Sequence, residues 1–527
     1  MVILQNISYS HPDKELLFDN INLIVNDRDK ISLIGNNGSG KSTLLRIIAK
    51  ELQPSDGILN IVSKPYYIPQ IFGQFDHLTI AQALGIEDKL TALREILNGN
   101  VTEENLSLIH DDWTIEERCH DALNYWRLND LHLSQKLETL SGGQKTKVFL
   151  AGISIHQSEL VLLDEPSNHL DVGSRQLLYE FIRSTSSTLI VVSHDRKLLR
   201  LPDKVCELSK RGITAYGGNY DFYVEQKEIE GNALNQNIQS TEKTLRKAIE
   251  KERETLERQQ KLDARGKKKQ EKAGVAKIMM NTLRNNAEQS TAKLKFVHGE
   301  KIDSLSKELQ ELRSMQPEID KMKFGFDDSR LHKGKVLFTA RDINFSYQDP
   351  LWKNNLSFLM RSGERIALKG SNGSGKTTLI KIILGNLEPT TGTVQRADSK
   401  SVYIDQDYSL IENNLNVYEQ AEVFNSAALQ EHEIKIRLNR FLFGKEDWNK
   451  SCAALSGGER MRLMLCCLTI GRKSPDLIIM DEPTNNLDIQ NIQILTAAIN
   501  EYQGTLVVVS HDEQFLEDVR IGREIKL

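Results

Sequence analysis

Cysteine is scarce and scattered in this chain of 527 residues. The five cysteines are Cys119, Cys206, Cys452, Cys466 and Cys467, and no two of them form a CxxC pair. An odd number of cysteines in so long a chain argues against a disulfide framework and favours a reducing compartment. We therefore expect the cysteines to be small, buried hydrophobic residues.

Long apolar runs and targeting segments are also missing. No run of about 18 apolar residues occurs, so the sequence predicts no transmembrane helix. The N-terminal stretch MVILQNISYSHPDKELL lacks the basic start and apolar core of a secretory signal. The apolar content of 39% and charged content of 27% are typical of a soluble protein with ordinary buried cores. We expect a cytoplasmic protein of two to four domains.

An excess of positive charge is missing as well, except in one segment. The net charge of −5 argues against a generic nucleic-acid binder. Between Arg258 and Arg284, however, nine Lys and Arg stand against two acidic residues, a local charge of +7. Any nucleic-acid contact should therefore be confined to residues 258–284, named the basic tip below.

Four motifs occur twice in the same order. GNNGSGKS (35–42) recurs as GSNGSGKT (370–377), and LSGGQ (140–144) recurs as LSGGE (455–459). LVLLDEPSNHLD (160–171) recurs as LIIMDEPTNNLD (477–488), and VVSHD occurs at 191–195 and 508–512. The repeats predict two homologous domains, 1–224 and 333–527. The first carries an insertion near 88–123, because Ser141 lies 71 positions after Gln70 whereas Ser456 lies 50 positions after Gln406.

Residues 225–332, between the two copies, are rich in Lys, Glu, Gln and Leu and contain no Pro before Pro317. Apolar residues recur there at helical spacing. These are Leu245, Ile249 and Leu256 in the first half and Ile302, Leu305, Leu309 and Leu312 in the second. We expect a helical hairpin whose helical pattern is interrupted at Arg265-Gly266 and at Gly274, with the basic tip between its two helices.

GxxxxGK[ST] is a phosphate-binding loop when it follows a strand and opens a helix, and both copies have that context. Glycines let backbone N–H groups surround phosphates, and the helix N-terminus favours negative charge. Lys41 and Lys376 would reach the β- and γ-phosphates, and Ser42 and Thr377 would hold Mg²⁺. The remaining predicted nucleotide-binding residues of the loops are Gly35, Asn36, Asn37, Gly38, Ser39, Gly40, Thr43, Gly370, Ser371, Asn372, Gly373, Ser374, Gly375 and Thr378.

The apolar runs LVLLDE and LIIMDE are suited to buried parallel strands that end in two acidic residues. Asp164 and Asp481 fit as Mg²⁺ partners, and Glu165 and Glu482 fit as groups that polarise an attacking water. Hydrolysis of a γ-phosphate needs positioning and charge neutralisation more than covalent help. Each SGG opens a helix, so Ser141, Gly142 and Gly143, and equally Ser456, Gly457 and Gly458, would present hydroxyl and N–H groups to a phosphate.

Taken together, these motifs resemble the ATP-binding cassette ATPases over about four fifths of the chain. The resemblance implies an α/β fold: two P-loop NTPase cassettes joined by a helical hairpin. It also implies that the cassettes face head to tail. ATP would then lie between the phosphate loop of one cassette and the LSGG signature of the other. The loop of Lys41 would pair with the signature of Ser456, and the loop of Lys376 with that of Ser141.

The same resemblance implies further site residues. Gln70 and Gln406 would sense the γ-phosphate and metal, and His194 and His511 would contact the γ-phosphate from its far side. Tyr347 would stack on adenine in the second cassette, and either Tyr9 or His11 would do so in the first. Glu165 and Glu482 are both present, so we expect two competent ATPase sites. The change from LSGGQ to LSGGE should have little effect.

Among such ATPases, the arrangement resembles the ABC-F family, in which two cassettes and a basic helical hairpin lie on one chain. The insertion near 88–123 occupies the place of that family's arm, and we expect no C-terminal extension. The resemblance implies a ribosome-associated monomer whose hairpin enters the E site and approaches P-site tRNA and the peptidyl-transferase centre. The candidate contacts to tRNA and rRNA are Arg265, Lys267, Lys268, Lys269, Lys272, Lys277 and Arg284.

Several alternatives stay open. The role could be that of a translation factor or of a ribosomal protection protein against antibiotics. A detached ATPase pair of a membrane transporter would give no use for the basic hairpin. A DNA-directed cassette ATPase could use the hairpin, but such proteins usually split one cassette around a very long coiled coil or zinc inserts.

Overall fold

A computed structural model of the chain describes residues 1–11, 16–209, 212–272, 277–316, 322, 334–371, 373–471, 474–485 and 487–527. The chain divides into two compact units. One unit comprises Met1–Tyr223 and Met322–Leu527 and contains both cassettes, and the other is Val224–Lys321.

Each strand of the first cassette belongs to one of two sheets. The described strands are β1 (Val2–Ser10), β2 (Leu16–Val25), β3 (Lys30–Ile34), β4 (Asp56–Ile61), β5 (Pro65–Ile68), β6 (Leu160–Asp164), β7 (Thr188–Val192), β8 (Lys204–Ser209) and β9 (Gly212–Tyr216). An antiparallel sheet has the order β2-β1-β4, and a six-stranded sheet has the order β5-β6-β7-β3-β8-β9. In the larger sheet β5, β6, β7, β3 and β8 are parallel, and β9 runs antiparallel to β8. Strands β6 and β7 are fully buried, as their continuous apolar sequences predict.

The first cassette also contains helices, some of which lie in the inserted segment. The described helices are Lys41–Ile48, Ile80–Ala83, Glu87–Leu97, Glu103–Ile109, Ile115–Tyr125, Gly142–His156, Val172–Ser184 and Arg196–Leu199. The segment near 88–123 forms three of them. Its residues Leu90, Ile109 and Cys119 share one hydrophobic core with Phe149 of the helix that follows the first signature. The insertion is therefore packed against the helix that positions the LSGGQ sequence.

The second cassette repeats this architecture with one strand fewer among the described residues. Its strands are β10 (Val336–Asn344), β11 (Leu356–Arg361), β12 (Arg365–Lys369), β13 (Thr391–Arg396), β14 (Ser401–Ile404), β15 (Leu477–Asp481), β16 (Thr505–Val509) and β17 (Arg523–Lys526). The sheets have the orders β11-β10-β13 and β14-β15-β16-β12-β17, and the second is parallel throughout. Its described helices are Lys376–Leu384, Val417–Val423, Glu431–Arg440, Gly457–Ile470, Ile489–Glu501 and Glu513–Asp518.

Two long helices, Tyr220–Lys272 and Lys277–Ser314, supply the second unit. Arg313 pairs with Glu242 at 2.6 Å, so the end of the second helix lies beside the beginning of the first. Ile238 of the first helix and Leu309 of the second are also buried. The expected interruption at Arg265-Gly266 is wrong, because the first helix continues to Lys272; a single glycine costs a long helix only about 1 kcal/mol. Gly274 lies outside the described residues.

All five cysteines are free and buried, which confirms their expected role as small core residues. No helix in the described part of the chain is both long enough and apolar enough to cross a membrane.

Candidate nucleotide sites

Both phosphate loops connect a buried strand to a helix, as their sequences predict. The loop after β3 leads into a helix that begins at Lys41, and the loop after β12 leads into one that begins at Lys376. Gly40 and Gly375 have φ values of 94° and 89°, a region that favours glycine. A Cβ at Gly40 would also lie 2.7 Å from the Phe18 ring, so glycine is required there for space as well as for backbone conformation.

The two loop lysines fold back onto their own loops. Lys41 Nζ donates to the carbonyl oxygens of Gly35 and Asn36, at 2.7 and 3.1 Å. Lys376 Nζ makes the equivalent bonds to Gly370 and Ser371, both at 2.9 Å. The two ammonium groups are therefore held within the loops that would surround a phosphate. Asn372, a predicted contact in the second loop, lies outside the described residues.

Asp164 ends β6 and Asp481 ends β15, so each carboxylate lies at the carboxyl edge of its sheet. Each accepts a hydrogen bond from a tyrosine, Tyr67 at 3.2 Å and Tyr403 at 3.0 Å. The sequence motifs did not point to these tyrosines, although each precedes the predicted glutamine of its cassette by three residues. Asp164 Oδ1 is buried without a hydrogen-bond partner in the described chain, which fits a site that a cation would complete.

Glu165 and Glu482 follow these aspartates with left-handed backbones, at φ values of 50° and 47°. Non-glycine residues adopt this region at some cost, and such strain often marks functional sites. His194 Nε2 lies 3.2 Å from Glu165 Oε1, and His511 Nε2 lies 3.5 Å from Glu482 Oε1. The strained turns thus place each predicted catalytic glutamate against the histidine of its own cassette.

Burial sets the protonation of these pairs. It raises the pKa of Glu165 to about 8 and that of Glu482 to about 7. It lowers the pKa of His194 to about 3 and that of His511 to about 4. Burial therefore favours the uncharged form of both side chains in each pair.

The first cavity, of about 370 Å³, surrounds the loop of Lys41. The predicted residues that line it are Asn37, Gly38, Gly40, Lys41, Ser42, Thr43, Gln70, Asp164, Glu165 and His194. Its described lining residues all belong to the first cassette, and Ser456, Gly457 and Gly458 are not among them. The second cassette nevertheless reaches this loop, because Asp488 Oδ2 accepts a hydrogen bond of 2.8 Å from the backbone N–H of Asn37.

The second cavity is larger, about 590 Å³, and both cassettes line it. The predicted residues from the second cassette are Tyr347, Gly373, Gly375, Lys376, Thr377, Thr378, Gln406, Asp481, Glu482 and His511. Ser141, Gly142 and Gly143 of the first cassette line the same cavity. The structure therefore brings one phosphate loop and the opposite signature together, in the arrangement that the sequence predicts. It also adds His169 and Arg175, to which the sequence motifs did not point.

Packing distinguishes Tyr9 from His11, the two candidates for the stacking residue of the first cassette. Tyr9 packs on the core beside Phe18, whereas His11 lines the first cavity. Tyr9 and His11 form an edge-on pair at 5.7 Å, and Phe345 and Tyr347 form an edge-on pair at 4.9 Å in the second cassette. His11 therefore lies at the first cavity as Tyr347 lies at the second.

Both signature serines cap their helices in the same way. The Ser141 hydroxyl accepts from the Gln144 N–H, and Gln144 Oε1 accepts from the Ser141 N–H. Ser456 and Glu459 make the same reciprocal pair, because a glutamate oxygen accepts as a glutamine oxygen does. The change from LSGGQ to LSGGE therefore leaves the local geometry intact.

The basic tip is described only in part. The Arg265 side chain is exposed. The side chains of Lys267, Lys268, Lys269, Lys272, Lys277 and Arg284 lie outside the described residues.

Comparison with known proteins shows to which family this chain is similar. The family model described as ABC transporter matches residues 18–168 and 353–485. The ATP-binding protein YdiF of Bacillus subtilis is 31% identical, over 96% of this chain and 77% of its own length. The ATP-binding protein Uup of Haemophilus influenzae is 29% identical, over 98% and 77%. ABC transporter F family member 5 of Arabidopsis thaliana is 28% identical, over 100% and 75%.

Solved structures share the fold at lower identity. The archaeal ribosome recycling factor aABCE1, solved in complex with the ribosomal stalk protein aP1, matches with a TM-score of 0.60 and 19% identity. That match covers 99% of this chain and 87% of the other. These comparisons confirm the predicted pair of P-loop cassettes in an α/β fold and the predicted ATPase activity. The chain belongs to the ABC-F family of tandem ATP-binding cassette ATPases.

Proposed function

We propose that this ATPase binds the ribosome when ATP closes its two cassettes, with the hairpin entering the E site. The basic tip then approaches P-site tRNA and the peptidyl-transferase centre. The protein acts there as a translation factor or as a ribosomal protection protein against antibiotics. The observation that carries this proposal is the pair of helices, 53 and 38 residues long, inserted between two cassettes and bearing the basic segment at their junction.

The relatives support a role in translation. One of them is named as a member of an F family of cassette proteins, and a structural neighbour is described as ribosome-bound archaeal ABCE1 with Pelota. That neighbour is 18% identical with a TM-score of 0.54, so its likeness to this chain is one of fold. The transfer of its partner to this chain is part of our proposal.

In the proposed nucleotide chemistry, Lys41 and Lys376 leave their loop carbonyls to bind the β- and γ-phosphates of ATP. Glu165 and Glu482 then polarise the attacking water, while His194 and His511 contact the γ-phosphate. Mg²⁺ would be held by the Ser42 and Thr377 hydroxyls with Asp164 and Asp481, and it would neutralise phosphate charge. The remaining proposed contacts come from Gln70, Gln406 and the two signatures.

Closure of the cassettes would be the mechanical step. Contacts between the cassettes already join Asp488 to Asn37 at 2.8 Å and Arg196 to Asp518 at 2.6 Å. ATP held between a phosphate loop and the opposite signature would stabilise this paired state, and loss of the γ-phosphate would remove that contribution. Hydrolysis would therefore set the time that the protein spends on the ribosome.

Co-sedimentation with ribosomes tests the proposal. The Glu165→Gln, Glu482→Gln double variant should comigrate with ribosomes in a sucrose gradient with ATP and not without it. The Lys41→Ala, Lys376→Ala variant serves as the matched control that should fail to bind ATP. If ATP binds normally but no comigration occurs, the ribosome proposal fails, and DNA and membrane-transporter partners become the candidates to test.

The contribution of the basic tip needs a charge-matched control. We expect that replacing Arg265, Lys267, Lys268, Lys269 and Lys272 with Gln will weaken ribosome binding and flatten its salt dependence. The logarithmic slope should fall by about 0.7–0.9 for each phosphate that the tip no longer neutralises. The control replaces five exposed lysines elsewhere on the hairpin: Lys243, Lys247, Lys251, Lys301 and Lys307. Equal effects of the two sets would show that general charge, and not the tip, drives binding.

A further inference from the structure

The two cassettes differ at one position beside the paired cavity. Asp171 caps the helix Val172–Ser184, and Arg175 lies in its first turn. Asp488 caps the equivalent helix Ile489–Glu501, and the same position is occupied by Ile492, which is buried in the core. The first cassette therefore has a positively charged side chain at a position where the second cassette has an apolar one.

Arg175 is held at the interface between the cassettes. Its Nε donates a hydrogen bond of 3.1 Å to the carbonyl oxygen of Leu170, and the side chain is partly buried. Its terminal nitrogens make no hydrogen bond to any residue that the structure describes. Arg175 lines the second cavity together with Lys376 and Glu482 of the opposite cassette. The guanidinium is thus fixed at one nitrogen and has further donors available beside the second phosphate loop.

We propose that Arg175 of the first cassette binds the γ-phosphate of ATP held by the second cassette, so that the second cavity has a cationic ligand without an equivalent in the first. This inference rests on the assignment of the second cavity as an ATP site and is independent of the ribosome proposal.

Chemistry favours this contact. Guanidinium groups present several donors in a fixed plane and bind phosphate oxygens more specifically than ammonium groups do. The bond to Leu170 already orders the side chain, so less conformational entropy is lost when phosphate binds. Because Arg175 comes from the opposite cassette, the contact forms only while the cassettes are paired. It would therefore couple γ-phosphate binding to closure at one site of the two.

The electrostatics of the cavity agree with this position. Burial raises the pKa of Glu482 to about 7, and the positive charge of Arg175 opposes that rise. Burial lowers the pKa of His511 to about 4, and the charge of Arg175 lowers it further. The charge of Arg175 thus acts on both groups that face the proposed γ-phosphate position.

Equilibrium nucleotide binding to the isolated protein tests the inference. A Lys41→Ala, Glu482→Gln background disables the first cavity and stops hydrolysis in the second. In this background we expect Arg175→Ile, which copies Ile492, to raise the Kd for ATP by about 10- to 100-fold. The Kd for ADP, which has no γ-phosphate, should change by less than about twofold, and Arg175→Lys should restore part of the ATP affinity.

Controls distinguish a failure of the proposed Arg175 contact from a failure of its premise, that the second cavity is an ATP site. Arg183→Met removes an exposed arginine from the same helix and should change neither affinity. Equal weakening of ATP and ADP by Arg175→Ile would show a structural role and overturn the inference, as would unchanged ATP affinity. Lys376→Ala should weaken the binding of both nucleotides in the same background. If it weakens neither, the second cavity is not an ATP site, and the premise and the inference fail together.

Discussion

The two nucleotide cavities are built from the same motifs, yet only one has described lining residues from both cassettes. The described residues that line the first cavity all belong to the first cassette, and those that line the second include Ser141, Gly142 and Gly143 of the opposite cassette. The sequence repeat therefore predicts the parts of a site better than it predicts how completely each site is assembled.

Smaller differences follow the same division. The aromatic residue beside the cavity is His11 in the first cassette and Tyr347 in the second. The catalytic glutamates are alike in this respect, because burial raises the pKa of both, to about 8 for Glu165 and to about 7 for Glu482.

The largest expected effect is on ATP turnover. We expect Glu482→Gln to remove most of the steady-state phosphate release and Glu165→Gln to remove less, because the second cavity contains the opposite signature. The double variant should turn over about 10²- to 10⁴-fold more slowly, since a positioned base usually contributes that much. Nucleotide binding, measured in parallel, should persist. A larger reduction from Glu165→Gln than from Glu482→Gln would reverse the comparison.

Ion pairs across the two cassettes should give the next largest effect. Arg196 is 12% exposed and Asp518 is 29% exposed. Reversing the charge in Arg196→Asp should therefore lower the free energy of unfolding by about 1–2 kcal/mol. The reciprocal change Asp518→Arg, made in the same chain, should recover much of that stability in a double-mutant cycle from thermal unfolding.

A second ion pair between the cassettes serves as a control for this prediction. Lys197 and Glu513 also join the cassettes, but each side chain is about half exposed, at 49% and 48%. Solvent screens such pairs, so their cycle should give less than about 0.5 kcal/mol. A larger coupling energy for Lys197 and Glu513 than for the partly buried pair would contradict the view that Arg196 and Asp518 stabilise the paired cassettes.

Sequence alone accounts for much of the fold and of each single-cassette site. The phosphate loops, the strand-end acids and both histidines lie where their motifs predict, because each motif is a short local unit of strand, loop and helix. The pairing of the Lys376 loop with the Ser141 signature was predicted from the family resemblance, but other contacts between the cassettes were not. Examples are the hydrogen bond between Asp488 and Asn37 and the position of Arg175 in the same cavity as Lys376. Both bring together residues that are far apart in the chain.

A comparison within the sequence could have found some of these residues. Aligning the repeats places Arg175 opposite Ile492 and Tyr67 opposite Tyr403, so one pair is a difference and the other a shared feature. The helix through Arg265-Gly266 shows the opposite limit, because a local helix-breaking signal is weaker than the stability of a 53-residue helix.

Base recognition should show a smaller difference between the sites. Tyr347→Ala should raise the Kd for ATP at the second cavity by about fivefold to tenfold, the lower end of the about 1–3 kcal/mol that base stacking contributes, because the Tyr347 side chain is largely exposed. His11→Ala should raise the Kd for ATP at the first cavity by about threefold. The Tyr347 variant is measured with the first cavity disabled by Lys41→Ala, and the His11 variant with the second cavity disabled by Lys376→Ala. Tyr9→Phe keeps the packing on Phe18 and should change nothing; weakened ATP binding in that variant would return Tyr9 as the stacking residue.

The smallest effect concerns stability without nucleotide. A glutamate whose folded pKa is raised stabilises the fold at pH below its unfolded value of about 4.5, and this contribution is lost as pH rises through the folded pKa. Glu165→Gln should therefore gain thermal stability relative to the parent up to about pH 8, and Glu482→Gln should level off near pH 7. We expect gains of about 1–3 °C in Tm, measured from about pH 5 to 9. A gain that falls as pH rises would mean that both carboxylates are ionised in the folded protein at neutral pH, and the contrast between the two cavities would then rest on Arg175 and the signature alone.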